Sequence, residues 1–176
     1  MKTRIALFRG INVVGRNTLP MKELVALLGE LGCKDVRTYI QSGNAVFRTV
    51  ADSAGLGRRI TAEIGRQFGF EPQVLILDPR DVAAIAAANP YPAATKNPKS
   101  LHVYFLAARP ANPDLAALEA ARTPSESFQL RDRAFYLHAP DGIGRSKLAA
   151  RVETAMGVPA TARNWRTVCQ LLEWVG

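Results

Sequence analysis

The 176 residues are 48% hydrophobic and 22% charged, which excludes a disordered chain and lets a folded one bury roughly 70% of its unfolded surface without a metal or disulfide. Lys and Arg number 23 against 15 Asp and Glu, and the net charge of +8 is spread over both halves; it favours anions as partners, whether phosphorylated metabolites, acidic surfaces or nucleic acid. Cys33 and Cys169 lack CxxC spacing and read as reduced thiols, the amino-terminal Met1-Lys2-Thr3-Arg4-Ile5 lacks a signal-peptide core, and no apolar run reaches spanning length, so the expected location is the cytoplasm, with no membrane partner.

In chain order, Ile5-Ala6-Leu7-Phe8 reads as a buried strand. Met21, Leu24, Leu27, Leu28 and Leu31 form a helical stripe, with Thr18 as expected N-cap, Pro20 in the first turn and Gly32 as the stop. Val36 to Gln41 alternates like a strand, Ser42-Gly43-Asn44 signals a tight turn, and Ala45 to Arg48 is the return strand. Leu56, Ile60, Ile64 and Phe68 mark a second helix and Pro72 to Leu77 a fourth strand, giving β-α-β-β-α-β, the ferredoxin-like order. Asp78 to Ala88 is a linking helix capped by Asp78. Residues 89–100, with three prolines, read as a loop and as the domain boundary between residues 1–88 and 89–176.

The second half offers a strand over Leu101 to Ala107 and a helix over Asp114 to Arg122. A hairpin of Phe128–Arg131 and Phe135–His138 turns at Asp132-Arg133, and a helix follows through Leu148, Val152 and Met156. Trp165, Val168, Leu172 and Val175 mark a last helix, with Thr161 as N-cap and both Arg163 and Arg166 in its first turn, against the helix dipole. The expected class is α+β: a ferredoxin-like part followed by a second β-α-β-β-α-α part.

Chain direction brings two motifs together. Strands one and two of a β-α-β unit run parallel, so the loop Gly10 to Asn17 and the turn Ser42 to Asn44 leave the same edge of the sheet. Gly10-x-Asn12-x-x-Gly15 resembles a phosphate loop without the dinucleotide fingerprint, and Arg9 and Arg16 are suited to pair with phosphate or carboxylate. Gly43 and Asn44 are explained by a turn that needs φ > 0; Tyr39 and Gln41 on the same face are not. Gly142-Ile143-Gly144-Arg145-Ser146-Lys147 lacks the spacing of a nucleotide-triphosphate loop, yet it opens a helix whose start attracts anions. For each of these the bland alternative is a structural turn with solvated charges.

Enzyme constellations are sparse. His102 and His138 both fall within strands, the carboxylates are scattered, and neither a metal set nor a nucleophile-base arrangement stands out; no cofactor is implied. Cys33 and Cys169 read as structural. Phe8 and Phe47 occupy the two central strands, but Ser42-Gly43-Asn44-Ala45-Val46-Phe47 lacks the aromatic pair and basic lead of an RNA-recognition motif.

Arg9-Gly10-Ile11-Asn12-Val13, Thr38-Tyr39-Ile40-Gln41-Ser42-Gly43-Asn44, Ser146-Lys147-Leu148 and Thr161 to Val168 together resemble the bacterial family called domain of unknown function 1697, over nearly the whole chain. Members typically carry Gly-Gly where Val14-Gly15 stands here. The resemblance implies an α+β fold with a ferredoxin-like amino-terminal part, and no activity.

The sequence therefore predicts binding of a small anionic or phosphorylated ligand by Arg9, Gly10, Asn12, Tyr39, Ser42, Gly43 and Asn44, with Lys147, Arg163, Asn164 and Arg166 adding charge from the second half. Alternatives are an enzyme acting on such a ligand, with Lys147 or Tyr39 as acid or base, and non-specific nucleic-acid binding through net charge. The oligomeric state and any catalysis stay open.

Overall fold

The computed structural model describes residues 1–176. The chain divides into two compact units, Met1–Ala83 with Gln170–Gly176, and Ala84–Cys169. The division falls inside the helix after the fourth strand rather than in the proline-rich segment 89–100, and the last residues return to the first unit.

The first unit is a four-stranded antiparallel sheet of β1 (Lys2–Arg9), β2 (Lys34–Tyr39), β3 (Asn44–Thr49) and β4 (Gln73–Leu77), in the order β2-β3-β1-β4. Helices α1 (Met21–Glu30) and α2 (Ser53–Phe68) join β1 to β2 and β3 to β4. Period-two alternation in the central strands sends Ala6, Phe8, Ala45 and Phe47 to the helix-covered face. There they meet Leu24, Leu27 and Leu28 of α1 and Leu56, Ile60 and Ile64 of α2. Phe8 and Phe47 are thus core residues, not a stacking platform for bases. The α2 boundaries follow from local chemistry: the Asp52 carboxylate accepts from the Gly55 amide at 2.8 Å, and Gly69 closes the helix at φ 79°.

Thr18 is not the cap of α1. Pro20 occupies that position without a side-chain bond, because the preceding loop is fixed instead by an asparagine described below. At the opposite end of the sheet, buried Arg4 donates to Asp78 at 2.7 Å, and Asp78 accepts from the Arg80 amide to start α3 (Pro79–Ala87).

The second unit repeats this plan. Strands β5 (Leu101–Leu106), β6 (Ser127–Arg131), β7 (Ala134–His138) and β8 (Ala160–Asn164) lie in the order β6-β7-β5-β8, again all antiparallel. Helices α4 (Leu115–Ala121) and α5 (Lys147–Met156) cover one face, and α6 (Trp165–Val175) follows β8. Residues 89–100 are not a plain loop, for Pro92–Lys96 forms a turn of 3-10 helix.

Strand β8 corrects the expected β-α-β-β-α-α order. Ala160 to Asn164 pairs with Leu106 to His102, so Thr161 and Arg163 are strand residues rather than the start of a helix. Asn164 is the cap of α6, its Oδ1 accepting from the Thr167 amide at 3.0 Å. With β8 in place, the element order β-α-β-β-α-β-α occurs twice. The register repeats as well. The Phe8 amide donates to Gly43 and the Leu106 amide to Arg133; Phe8 lies opposite Val74 and Leu106 opposite Ala160. This equivalence matches Arg4 with His102 and the helix cap Asp78 with Asn164. No helix is long and apolar enough to cross a membrane.

Candidate functional site

Both β1 and β2 pair antiparallel with β3, so they run parallel to each other and deliver their carboxyl ends to one edge of the first sheet. The loop after β1 and the turn after β2 meet there directly. The Phe8 amide donates to the Gly43 carbonyl at 2.8 Å, and the Asn12 side chain donates to the Gln41 carbonyl at 2.9 Å.

Asn12 is the clamp of this edge. Its Nδ2 also donates to the Leu19 carbonyl at 2.9 Å, while its Oδ1 accepts from the Leu19 amide at 2.8 Å. Leu19 is fully buried, so one side chain holds the loop's far end in the core and the neighbouring turn in place. Asn17 closes the loop base by donating to Gly10 at 2.8 Å. Between them, Val13 and Arg16 exchange backbone bonds around Val14-Gly15, whose φ values of 36° and 74° make a type I′ corner. Asparagine-glycine is the usual choice at such a corner, and a β-branched residue is strained there.

The second motif is built the same way. Asn44 does not take positive φ; it is the first residue of β3, fully buried, and its Nδ2 donates to the Tyr39 carbonyl at 3.0 Å and to Ser42 Oγ at 3.1 Å. The left-handed residues of the turn are Ile40, φ 49°, and Gly43, φ 80°. Gly43 is needed for a second reason: a Cβ there would lie 2.6 Å from Phe8 Cβ and 2.7 Å from Ile11 Cδ1. In the second unit the corresponding hairpin turns through Asp132 and Arg133 alone, with Ala134 in place of Asn44. The longer turn of residues 40–43 is an addition to the shared plan.

Asn12 and Asn44 thus shape the edge, and the groups turned to solvent are others. Arg9, Arg16, Gln41 and Ser42 are exposed; Arg9 Nη1 donates to Gln73 at 3.1 Å. Tyr39 is half-buried, its ring meeting Trp174 edge-on at 5.9 Å. No local signal linked Tyr39 with the end of α6. Val13, Val14 and Ile40 are also exposed at this edge, Val14 at 94%.

The other candidates belong to the second unit. Strands β7 and β8 both run antiparallel to β5, so the starts of α5 and α6 lie at one end of that sheet. Ser146 caps α5 by accepting from the Ala149 amide at 3.0 Å, and Lys147 follows it, exposed. Arg166 is exposed in the first turn of α6. Arg163 and Asn164 alternate to opposite faces of β8, and Arg163 donates to the Ala162 carbonyl at 2.8 Å. Desolvation pulls the Arg163 guanidinium down to about 10, so it stays cationic at neutral pH. Of the cysteines, Cys33 is buried after α1, with its thiol pushed up by desolvation, whereas Cys169 is exposed and not part of the α6 core face. No group of three or more His, Cys, Asp or Glu is placed to hold a metal ion.

His102 lies at the same end as the helix starts, opposite Asn164, buried, with no partner for Nδ1. Burial lowers its pKa below 6.5. Between pH 6.5 and the lower native value, the unfolded chain binds the proton that the folded chain refuses. The contribution is therefore complete above pH 6.5 and is lost as the pH falls below it, by at most about 1.4 kcal/mol per pH unit. Thermal melts from pH 7.5 down to 5 are expected to show this decline, and His102→Gln to flatten it; a variant declining as steeply as the parent would assign the loss elsewhere.

Comparison with known proteins agrees with this architecture. A solved structure, that of the conserved bacterial protein SP0830 from Streptococcus pneumoniae, superposes with a TM-score of 0.74 over 99% of this chain and 98% of that one, at 21% identity. That likeness concerns the fold. No curated protein is significantly similar in sequence. The family model described as protein of unknown function (DUF1697) matches residues 1–136, which include the Asn12 clamp, the turn at residues 40–43, and strands β5 and β6 of the second sheet. On that match the chain belongs to the DUF1697 family.

Proposed function

We propose that the edge formed by the loop after β1 and the turn after β2 binds a small anionic or phosphorylated ligand. The observation that carries this reading is the Asn12 clamp. It fixes two loops from distant parts of the sequence into one edge on which Arg9, Arg16, Gln41 and Ser42 are all exposed. Guanidinium groups bind phosphate and carboxylate through paired, charge-assisted hydrogen bonds, and preorganised loops lower the ordering cost of binding. Gly10 and Gly43 keep the backbone free of side-chain bulk at the loop roots. Asn12 and Asn44 serve by holding shape, and Tyr39 by anchoring the turn to Trp174. Exposed Lys147 and Arg166 supply a separate cationic edge within the second unit, where Asn164 caps α6 and Arg163 lies on the opposite face of β8.

A thermal-shift screen against nucleotides and phosphorylated metabolites tests the reading. A ligand at roughly a hundred times its Kd stabilises the native state by about 2.7 kcal/mol. Arg9→Ala and Arg16→Ala are each expected to weaken the responding ligand by about tenfold. A screen in which nothing raises Tm, or variants that respond like the parent, would remove the proposal.

A further inference from the structure

We infer that the anion met by this edge is carried by a lipid headgroup, and that the edge docks on an anionic membrane surface; the inference rests on the anion reading above. Six large hydrophobic residues are exposed in this chain; Val13, Val14 and Ile40 lie at this one edge, at 45%, 94% and 52% exposure, and Met1, Val50 and Leu115 lie elsewhere. Their loops meet, because Val13 follows Asn12 and Ile40 precedes Gln41, and the Asn12 side chain is bonded to the Gln41 carbonyl. Val14 and Ile40 are β-branched residues held at φ 36° and 49°, where asparagine or glycine would be relaxed. Aliphatic surface is thus presented to solvent at the two positions of the edge least suited to it.

Charge favours a phospholipid over a protein as the occupant. Arg9 and Arg16 flank the aliphatic tip, and the chain carries +8 overall. Basic residues beside an apolar tip match the arrangement of an anionic bilayer, with phosphates at the level of the arginines and acyl chains beneath. A hairpin corner as exposed as Val14 offers a protein partner little area to bury, and the aromatic ring of this edge, Tyr39, is half-buried against Trp174. The lack of a spanning segment, from which the sequence predicts no membrane partner, concerns crossing the bilayer and not resting on it.

Vesicle co-sedimentation tests the inference, with phosphatidylcholine vesicles compared with vesicles that also contain phosphatidylglycerol. The soluble arm is the thermal shift given by inorganic phosphate and by glycerol phosphate. The parent protein is expected to sediment with the anionic vesicles and not with the zwitterionic ones. The double variant Val14→Asn, Ile40→Asn suits both backbone positions and removes the aliphatic surface; it is expected to lose about tenfold in vesicle binding while keeping the soluble-phosphate shift. Arg9→Ala with Arg16→Ala is expected to lose both. A phosphate shift without vesicle binding, or a double asparagine variant that binds vesicles like the parent, overturns the docking inference alone. No response in either arm overturns it together with the anion reading.

Discussion

Replacing Gly43 by alanine is expected to destabilise the protein by about 3 kcal/mol or more, since the change combines strain at positive φ with overpacking of a finished core. The two costs have separate origins. Gly43 sits at φ 80°, and an added Cβ would press on Phe8 Cβ, which is fixed to the strand backbone, and on Ile11 Cδ1, a side-chain end confined by burial. Phe8 is buried in the centre of the first sheet, and its amide is bonded to the Gly43 carbonyl, so relief requires moving β1 against β3. Gly10 is the natural control. It has the same φ, 80°, but a methyl group added there would meet nothing within 4 Å, so Gly10→Ala carries the backbone cost alone, about 1 kcal/mol. Urea denaturation of both variants measures the difference. Equal losses would show that the close approach to β1 carries no energy.

The second large effect is expected at Asn12. Asn12→Ala removes three hydrogen bonds and strips both backbone groups of buried Leu19 of their partner. Unsatisfied groups of this kind cost about 1–3 kcal/mol each before water relieves them, so a total loss of about 2–4 kcal/mol is expected. Asn12→Asp sharpens the test. It keeps an acceptor for the Leu19 amide but turns a carboxylate oxygen toward the carbonyls of Leu19 and Gln41, so it should fare no better than alanine. Hydrogen exchange at the Leu19 and Phe8 amides would report whether loop and turn loosen together. A loss under 1 kcal/mol in either variant would mean that the loop holds its shape by other means.

Much of this edge was legible from the sequence because it depends on chain direction and turn chemistry. A β-α-β unit must return its second strand parallel to the first, and glycine with asparagine had to mark the ends. The roles of the asparagines were not legible. Turn propensity assigns Asn44 a left-handed backbone, whereas the protein places Ile40 there and uses the Asn44 side chain for bonds to Tyr39 and Ser42. Thr18 is a sound local cap, but α1 begins at Met21 with Pro20 at the cap position, so Thr18 stands two residues too early.

Strand β8 escaped for a related reason. Ala160-Thr161-Ala162-Arg163-Asn164 is short and polar for a strand, and Thr161 reads as a helix cap; only pairing with β5 makes it extended. Once it pairs, the repeat of seven elements becomes visible, though no residue similarity announces it. The same repeat shows what the fold does not require. A sheet of this plan closes with Asp132-Arg133 in one copy, so strand return alone does not require the extra length at residues 40–43 in the other.

The Tyr39–Trp174 contact sets an order on the ribosome. Residues 170–176 group with residues 1–83, so the first unit's sheet leaves the exit tunnel long before the aromatic ring that covers Tyr39 has been translated. A nascent chain halted at Cys169 lacks the ring that meets Tyr39, so the first-made unit gains that contact only after residues 84–169 have been synthesised.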